Sequence, residues 1–211
     1  RLPAGQRLAI LGPSGTGKST VVDLIIRLYE PSAGSISLDG HDLRDFDVAW
    51  LRKQIVVIGN EPFLFHASVL ENVCYASPQA SRDDALAAAG AVGLHEFVVT
   101  LPQGYDTIVG ERGTRLSAGQ RQRIALARAV LKKPKILVLD EAMSGLDTAS
   151  EADVRLALTS VLPGCTILVV THRLTALHNE DAVIVLKEGR VVWQGVYAAL
   201  IEAPEVIDIA A

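Results

Sequence analysis

Arg7-Leu8-Ala9-Ile10-Leu11-Gly12-Pro13-Ser14-Gly15-Thr16-Gly17-Lys18-Ser19-Thr20 runs from an apolar stretch through a glycine-rich loop to a lysine and two hydroxyls. It predicts a buried strand, an anion-holding turn and a helix, in that order. The glycines let backbone N–H groups curl round an anion, and the following helix aims its positive end at it. Lys18 is then placed to reach β- and γ-phosphates, and Ser19 to offer its hydroxyl to Mg²⁺. Gly12, Pro13, Ser14, Gly15, Thr16, Gly17, Lys18, Ser19 and Thr20 are therefore candidate nucleotide-binding residues.

Outward from this stretch, apolar runs alternate with helical patterns. Lys18 to about Tyr29 has helical periodicity through Val22, Ile25, Ile26 and Tyr29. Glu30-Pro31-Ser32-Ala33-Gly34 breaks it. Ser35 to Leu38 alternates polar and apolar before the hairpin signal Asp39-Gly40. Leu51 to Gln54 ends a short helix, and Ile55-Val56-Val57-Ile58 is a β-branched strand. Ser68 to about Leu101 is alanine-rich and poor in strand-like runs, which predicts a helical insertion. Ser117 to Leu131 reads as one helix, stopped by Lys132-Lys133-Pro134. Strands are expected at Lys135 to Leu139 and Thr166 to Val170, with a helix from Thr148 to about Leu162 between them. Val183 to Leu186 and Arg190 to Trp193 flank Lys187-Glu188-Gly189 as a hairpin. Wholly apolar strands alternating with helices predict an α/β fold, a P-loop core with a mostly parallel sheet. A small antiparallel β portion and an inserted α-helical subdomain at about residues 66–131 complete it.

Ile136-Leu137-Val138-Leu139 is followed by Asp140 and Glu141. An acid at the carboxyl end of a parallel strand sits where ligands bind in such sheets. Asp140 suits a supporter of Mg²⁺, directly or through water. Glu141 suits a general base that polarises an attacking water. Ser117, within Leu116-Ser117-Ala118-Gly119-Gln120, is a good helix N-cap, and so is Asp147 ahead of Thr148. His172 stands at a strand end, a position that by itself suits a structural or surface histidine.

Together these landmarks resemble the nucleotide-binding domain of the ATP-binding cassette (ABC) transporters of exporter type, in family order from Leu8 to about Gly195. The resemblance implies ATP and Mg²⁺ as ligands and ATP hydrolysis coupled to transport. It implies that Leu116, Ser117, Ala118, Gly119 and Gln120 contact the γ-phosphate of ATP held by a second such domain, as homo- or heterodimer. The family more often has glycine at the position of Ala118. His172 matches the family's switch histidine, so Glu141, His172 and Lys18 form the implied catalytic set. Ser144-Gly145-Leu146-Asp147 resembles a subunit-contact loop, with Asp147 the implied dimer contact. Val109-Gly110-Glu111-Arg112-Gly113 resembles an exporter segment that touches the membrane domain.

Leu51 to Ile55 and Phe63-Leu64-Phe65 also follow the exporter pattern, but Gly59-Asn60 stands where proline-glutamine is usual. Asn60 keeps the amide and is one methylene shorter. A water or a shifted loop restores its reach toward ATP and metal. Ser19, Asp140 and Asn60 are the implied metal-side residues. The family's adenine-stacking aromatic lies upstream of the first strand, before Arg1.

The chain's 211 residues suffice for one domain with a buried core. With 49% apolar and 21% charged residues it has an ordinary globular balance. A net charge of −4 gives no basic footprint, so no nucleic-acid partner is expected. No apolar stretch approaches the roughly 20 residues of a membrane-spanning helix, and no signal-peptide pattern opens the chain. The start at Arg1 reads as a segment of a longer protein, its transmembrane part preceding residue 1, at the cytoplasmic face of a membrane. Cys74 and Cys165 read as two buried thiols, too few for a disulfide framework. Two alternatives stand beside the exporter. One is a soluble ABC ATPase acting on DNA or ribosomes, against which no long coiled coil separates Asn60 from Leu116. The other is a catalytically weakened regulatory cassette, which Asn60 favours and Glu141 and His172 oppose.

Overall fold

A computed structural model describes residues 1–178 and 181–210, apart from the side chains of residues 176 and 208–210. The chain divides into two compact units. The first comprises Arg1–Val57, Lys135–Asp140 and the described residues from Thr166 onward; the second comprises Ile58–Pro134 and Glu141–Cys165.

In the first unit β1 (Arg7–Leu11) and the hairpin strands β2 (Ser37–Leu38) and β3 (His41–Asp42) come first in the chain. Then follow β4 (Ile55–Ile58), β5 (Ile136–Asp140), β6 (Thr166–Thr171), β7 (Ala182–Lys187) and β8 (Arg190–Val196). The main sheet has the order β4-β5-β6-β1-β7-β8. β1 runs parallel to β6 and β7, β5 runs parallel to β6, and β8 closes the edge antiparallel to β7. Ala9, Leu11, Leu137, Val138 and Val170 are wholly buried, as strands covered on both faces require. Val22 of α1 (Lys18–Ile25) and Leu51 of α2 (Val48–Gln54) join Ile10, Val138 and Leu168 in one core. Both hairpins turn on two residues of positive φ, Asp39-Gly40 and Glu188-Gly189, whose twist matches that of the flanking strands.

Two features of this unit's helices depart from the sequence expectation. α1 ends at Ile25, not near Tyr29. Arg27 adopts φ 52, and the amides of Arg27 and Leu28 bond the carbonyls of Leu24 and Asp23, which closes the helix by a Schellman motif without glycine. The Arg27 guanidinium is fixed by the carbonyls of Leu43 at 3.0 Å and Phe46 at 2.8 Å. Arg52 in turn donates to the carbonyls of Ile26 and Arg27. The structure also adds α8 (Tyr197–Ile201) and α9 (Pro204–Ala210), which lie against β8 and β7.

The second unit is helical: α3 (Val69–Cys74), α4 (Arg82–Ala91), α5 (His95–Val98), α6 (Ala118–Lys132) and α7 (Thr148–Val161). α6 packs on α3 and α4, and α7 on α4. Capping boxes start three of them, at Ser68 with Glu71, Ser81 with Asp84 and Ser117 with Gln120. Each ties up two helix-end donors that would otherwise lack partners. Lys133, at φ 50 before Pro134, ends α6. No helix of the described residues is long and apolar enough to cross a membrane. Cys165 is buried, but Cys74 is only partly so, contrary to the expectation of two buried thiols.

Candidate active site

The phosphate loop of the first unit joins β1 to α1. Gly12 has φ 152, and a Cβ there would collide with the Leu186 carbonyl oxygen. Gly15 and Gly17 also have positive φ, 81 and 96, but face open space. Their freedom serves the turn itself and leaves room beside it. No side chain caps the start of α1, so its first amides keep their capacity for an anion. Lys18 is buried, at 6% exposure. Its ammonium donates to the carbonyls of Gly12 at 2.6 Å and Pro13 at 2.8 Å, which leaves one N–H for a ligand. The Thr16 hydroxyl donates to the Pro13 carbonyl at 2.9 Å and braces the turn. Ser14 and Thr20 are exposed on the loop and the first turn.

The β5 and β1 ends meet the same level of β6. Asp140 pairs with Val170, and Leu11 with Thr171. Asp140, the loop after Leu11 and His172 therefore stand at the carboxyl edge of three consecutive strands, where open α/β sheets bind ligands. The Ser19 hydroxyl donates to Asp140 Oδ2 at 3.3 Å. A hydroxyl and a carboxylate side by side are hard oxygen donors of the kind Mg²⁺ takes. Among the described residues no three His, Cys, Asp or Glu side chains cluster to hold a metal. This donor pair fits a cation whose shell is completed by phosphate oxygens and water. His172 is exposed just beyond β6.

The remaining candidates lie in the second unit. Glu141, the residue after Asp140, has φ 53. Such a conformation is unfavourable for a non-glycine residue and concentrates at functional sites. Ser117 caps α6: its oxygen accepts from Gln120 N–H at 3.2 Å, while Gln120 Oε1 accepts from Ser117 N–H at 2.8 Å. The hydroxyl hydrogen of Ser117 remains available to a ligand. Leu116 is buried under the cap and its carbonyl accepts from Arg121. A cavity of about 390 Å³ is lined by Ser117, Gly119, Gln120, Arg123 and Asp147 among others. Asp147 caps α7 through Ser150 N–H at 3.0 Å, a bond that holds its carboxyl below the usual range. Gly119 admits close packing, since a Cβ would lie 2.9 Å from the Gly145 carbonyl oxygen. The Ala118 methyl lies 3.1 Å from where a Gly145 Cβ would stand.

The Asn60 Oδ1 accepts from the Ser144 hydroxyl, and the Asn60 carbonyl accepts from Gln122 Nε2 at 3.1 Å. Gln122 had no place in the sequence argument beyond the polar first turn of α6. Its signal was a polar residue on the stripe that continues through Ala125, Leu126 and Ala129. Arg128 was missed similarly. It donates to the Phe63 carbonyl at 2.7 Å and to Asn72 Oδ1 at 2.6 Å, and burial lowers its pKa to about 10.

A glycine-rich loop between a central parallel strand and a helix, with a hydroxyl–carboxylate pair at the sheet's carboxyl edge, defines a P-loop nucleotide hydrolase. The family model described as ABC transporter matches residues 1–144. ABC transporter B family member 19 of Arabidopsis thaliana is 50% identical over 199 residues, covering 94% of this chain and 16% of that protein. The ATP-dependent lipid A-core flippase of Syntrophus aciditrophicus is 46% identical over 198 residues, covering 94% of this chain and 33% of that protein. The structure of a bacterial Atm1-family ABC exporter with ATP bound superposes with a TM-score of 0.92 at 40% identity, over 95% of this chain and 35% of that one. The chain belongs to the ABC transporter family, and within it is an ATP-binding, ATP-hydrolysing domain of exporter type. It spans well under half the length of these relatives.

Proposed function

We propose that this chain is the motor of a membrane exporter, hydrolysing MgATP as one of a head-to-tail pair of such domains and driving a transmembrane portion. The Ser19–Asp140 hydrogen bond beside the phosphate loop carries the proposal, because it sets two metal-grade oxygens where β- and γ-phosphates would lie. Mg²⁺, when bound, neutralises charge that develops on the transferring phosphoryl group. Gly12 to Thr20 cradle the phosphates, through backbone N–H groups at every position but Pro13, and Lys18 supplies its remaining N–H. Ser19 and Asp140 would hold the metal directly, and Asn60 would support it through water. Glu141 accepts the proton of the attacking water. His172 donates to the γ-phosphate. Leu116 to Gln120 form the face offered to the nucleotide of the opposite domain, where the Ser117 hydroxyl and the α6 amides meet its γ-phosphate. Asp147 lies at the contact between the two domains. Close likeness to B-family exporters favours transport at a membrane's cytoplasmic face over the DNA- and ribosome-acting alternatives.

The test is Lys18→Ala. Removing the loop's side-chain cation weakens MgATP binding in calorimetry by at least about tenfold, the scale of a lost charge-assisted bond. Undiminished affinity refutes the assignment of the phosphate site.

A further inference from the structure

We propose that Gln122 is a positioning residue that locks the Asn60 loop and the Ser144–Asp147 loop to the first turns of α6, so that the three move as one block during turnover. Its side chain is 1% exposed and fully engaged. Nε2 donates to the Asn60 carbonyl at 3.1 Å and to the Ser144 hydroxyl oxygen at 3.2 Å. Oε1 accepts from Gly145 N–H at 3.0 Å. The Ser144 hydroxyl spends its own hydrogen on Asn60 Oδ1. The four residues thus form a closed polar circuit in which each donor hydrogen is used once: amide N–H to carbonyl, amide N–H to hydroxyl, hydroxyl to amide oxygen, backbone N–H to amide oxygen.

Packing reinforces the circuit. A Cβ at Gly145 would lie 3.0 Å from Gln122 Oε1 and 3.1 Å from the Ala118 Cβ, so the loop sits flush on the helix. Gly119 meets the same loop from the next position. The circuit has two consequences for this chain. Asn60, one methylene shorter than glutamine, has the length at which Oδ1 meets Ser144. The side of the cavity formed by Gly145 and Asp147 keeps its position relative to Ser117 and Gly119 only while Gln122 holds both. The Gln122 amide is the buried member of this circuit, so its N–H and C=O groups lose partners without regaining water when the circuit is broken, while Asn60, Ser144 and Gly145 stand at the exposed end. Gln122 touches no reacting atom; it acts through the loops it holds.

The inference rests on the ATP-hydrolysis reading, and the experiment separates the two. In the purified protein of full natural length, Gln122→Leu, Gln122→Glu, Ser144→Ala and the Gln122→Leu/Ser144→Ala pair are compared with the parent. The measurements are kcat, KM for ATP and equilibrium nucleotide affinity. Gln122→Leu is expected to lower kcat by about tenfold or more while KM and affinity stay within about threefold, because nucleotide contacts of the phosphate loop are intact. Gln122→Glu, which keeps an acceptor for Gly145 but loses both donors, behaves the same way. Ser144→Ala lowers kcat by about 2- to 5-fold, and in the pair it adds nothing further, since the two side chains serve one circuit. Additive losses, an unchanged kcat in Gln122→Glu, or a parallel collapse of kcat and affinity overturn the proposal. Should Gln122→Leu fail to fold, Ser144→Ala, altered at an exposed position, decides alone: unchanged kcat overturns it. Lys18→Ala serves as the control for the underlying function, whose failure would show as retained nucleotide affinity in that variant.

Discussion

Asn60 stands where the resemblance to the exporters implies glutamine, and its neighbours give the difference a physical content. Its Oδ1 is taken by the Ser144 hydroxyl. Asn60→Gln carries the amide one methylene past that hydroxyl. Turnover is expected to fall by about 2- to 10-fold, the value of one ordinary hydrogen bond, with ATP affinity held. Steady-state ATPase assays check it, and equal turnover in the two forms would show the bond to be dispensable. A second residue-scale expectation concerns Asp42. The Arg44 side chain and amide bond its carboxylate, and its pKa falls from the usual 3.8 to about 2. The folded form thus favours the ionised carboxylate. Whatever this pair adds to the β2–β3 hairpin is complete above about pH 3.8 and is lost as pH falls toward 2. Carboxyl NMR titration is expected to give a midpoint near 2, and Arg44→Ala to return it toward 3.8. A midpoint unmoved by Arg44→Ala would rule out the pairing.

At the scale of elements, α6 organises the second unit. Its start is a capping box, Gln122 follows within its first turns, and the helix packs on α3 and α4. At Gly119 the helix and the loop after Glu141 come close together. In Gly119→Ala the new methyl lies 2.9 Å from a backbone oxygen and 3.2 Å from Leu146 Cδ2, with no flexible side chain to yield to the oxygen contact. Helix propensity favours alanine by about 1 kcal/mol, while overpacking costs about 1–3 kcal/mol. The net expectation is a lower denaturation midpoint, together with reduced turnover because Ser117 and Asp147 share the cavity beside this contact. A stabilised variant with full activity would mean that the loop yields freely. The same geometry leaves room for Ala118: its methyl rests 3.1 Å from the position a Gly145 Cβ would take, and Gly145 has none.

At the scale of the whole molecule, the proposed cycle requires two copies of the domain. Glu141→Gln preserves size and hydrogen bonding but cannot accept the proton of water. Hydrolysis is expected to slow by about 10²-fold or more. Binding survives, because Lys18, Ser19 and Asp140 are untouched. ATP that persists across an interface stabilises it by mass action, so light scattering with MgATP is expected to show a dimer in this variant and less of it in the parent. Adding Ser117→Arg places a bulky cation at the α6 cap and is expected to abolish the shift. A Glu141→Gln protein that binds ATP and stays monomeric at high concentration contradicts the paired arrangement.

The sequence alone determined the strand–loop–helix from Arg7 to Thr20, the apolar strands ending at Asp140 and Thr171, and the capped starts of α6 and α7. Those features are local. Glycine freedom, apolar periodicity and N-cap chemistry act over a few residues and can be read from them. Tertiary structure decided the rest through groups far apart in the chain. α1 stops at Ile25 because Arg27 is held by carbonyls 16 and 19 residues away. Asn60 finds Ser144 across 84 residues, and Gln122 reaches Asn60 across 62. α8 and α9 form where the sheet edge offers a surface to cover. No local pattern encodes such partners, because a side-chain amide or guanidinium bonds whichever carbonyl the fold brings within about 3 Å of it.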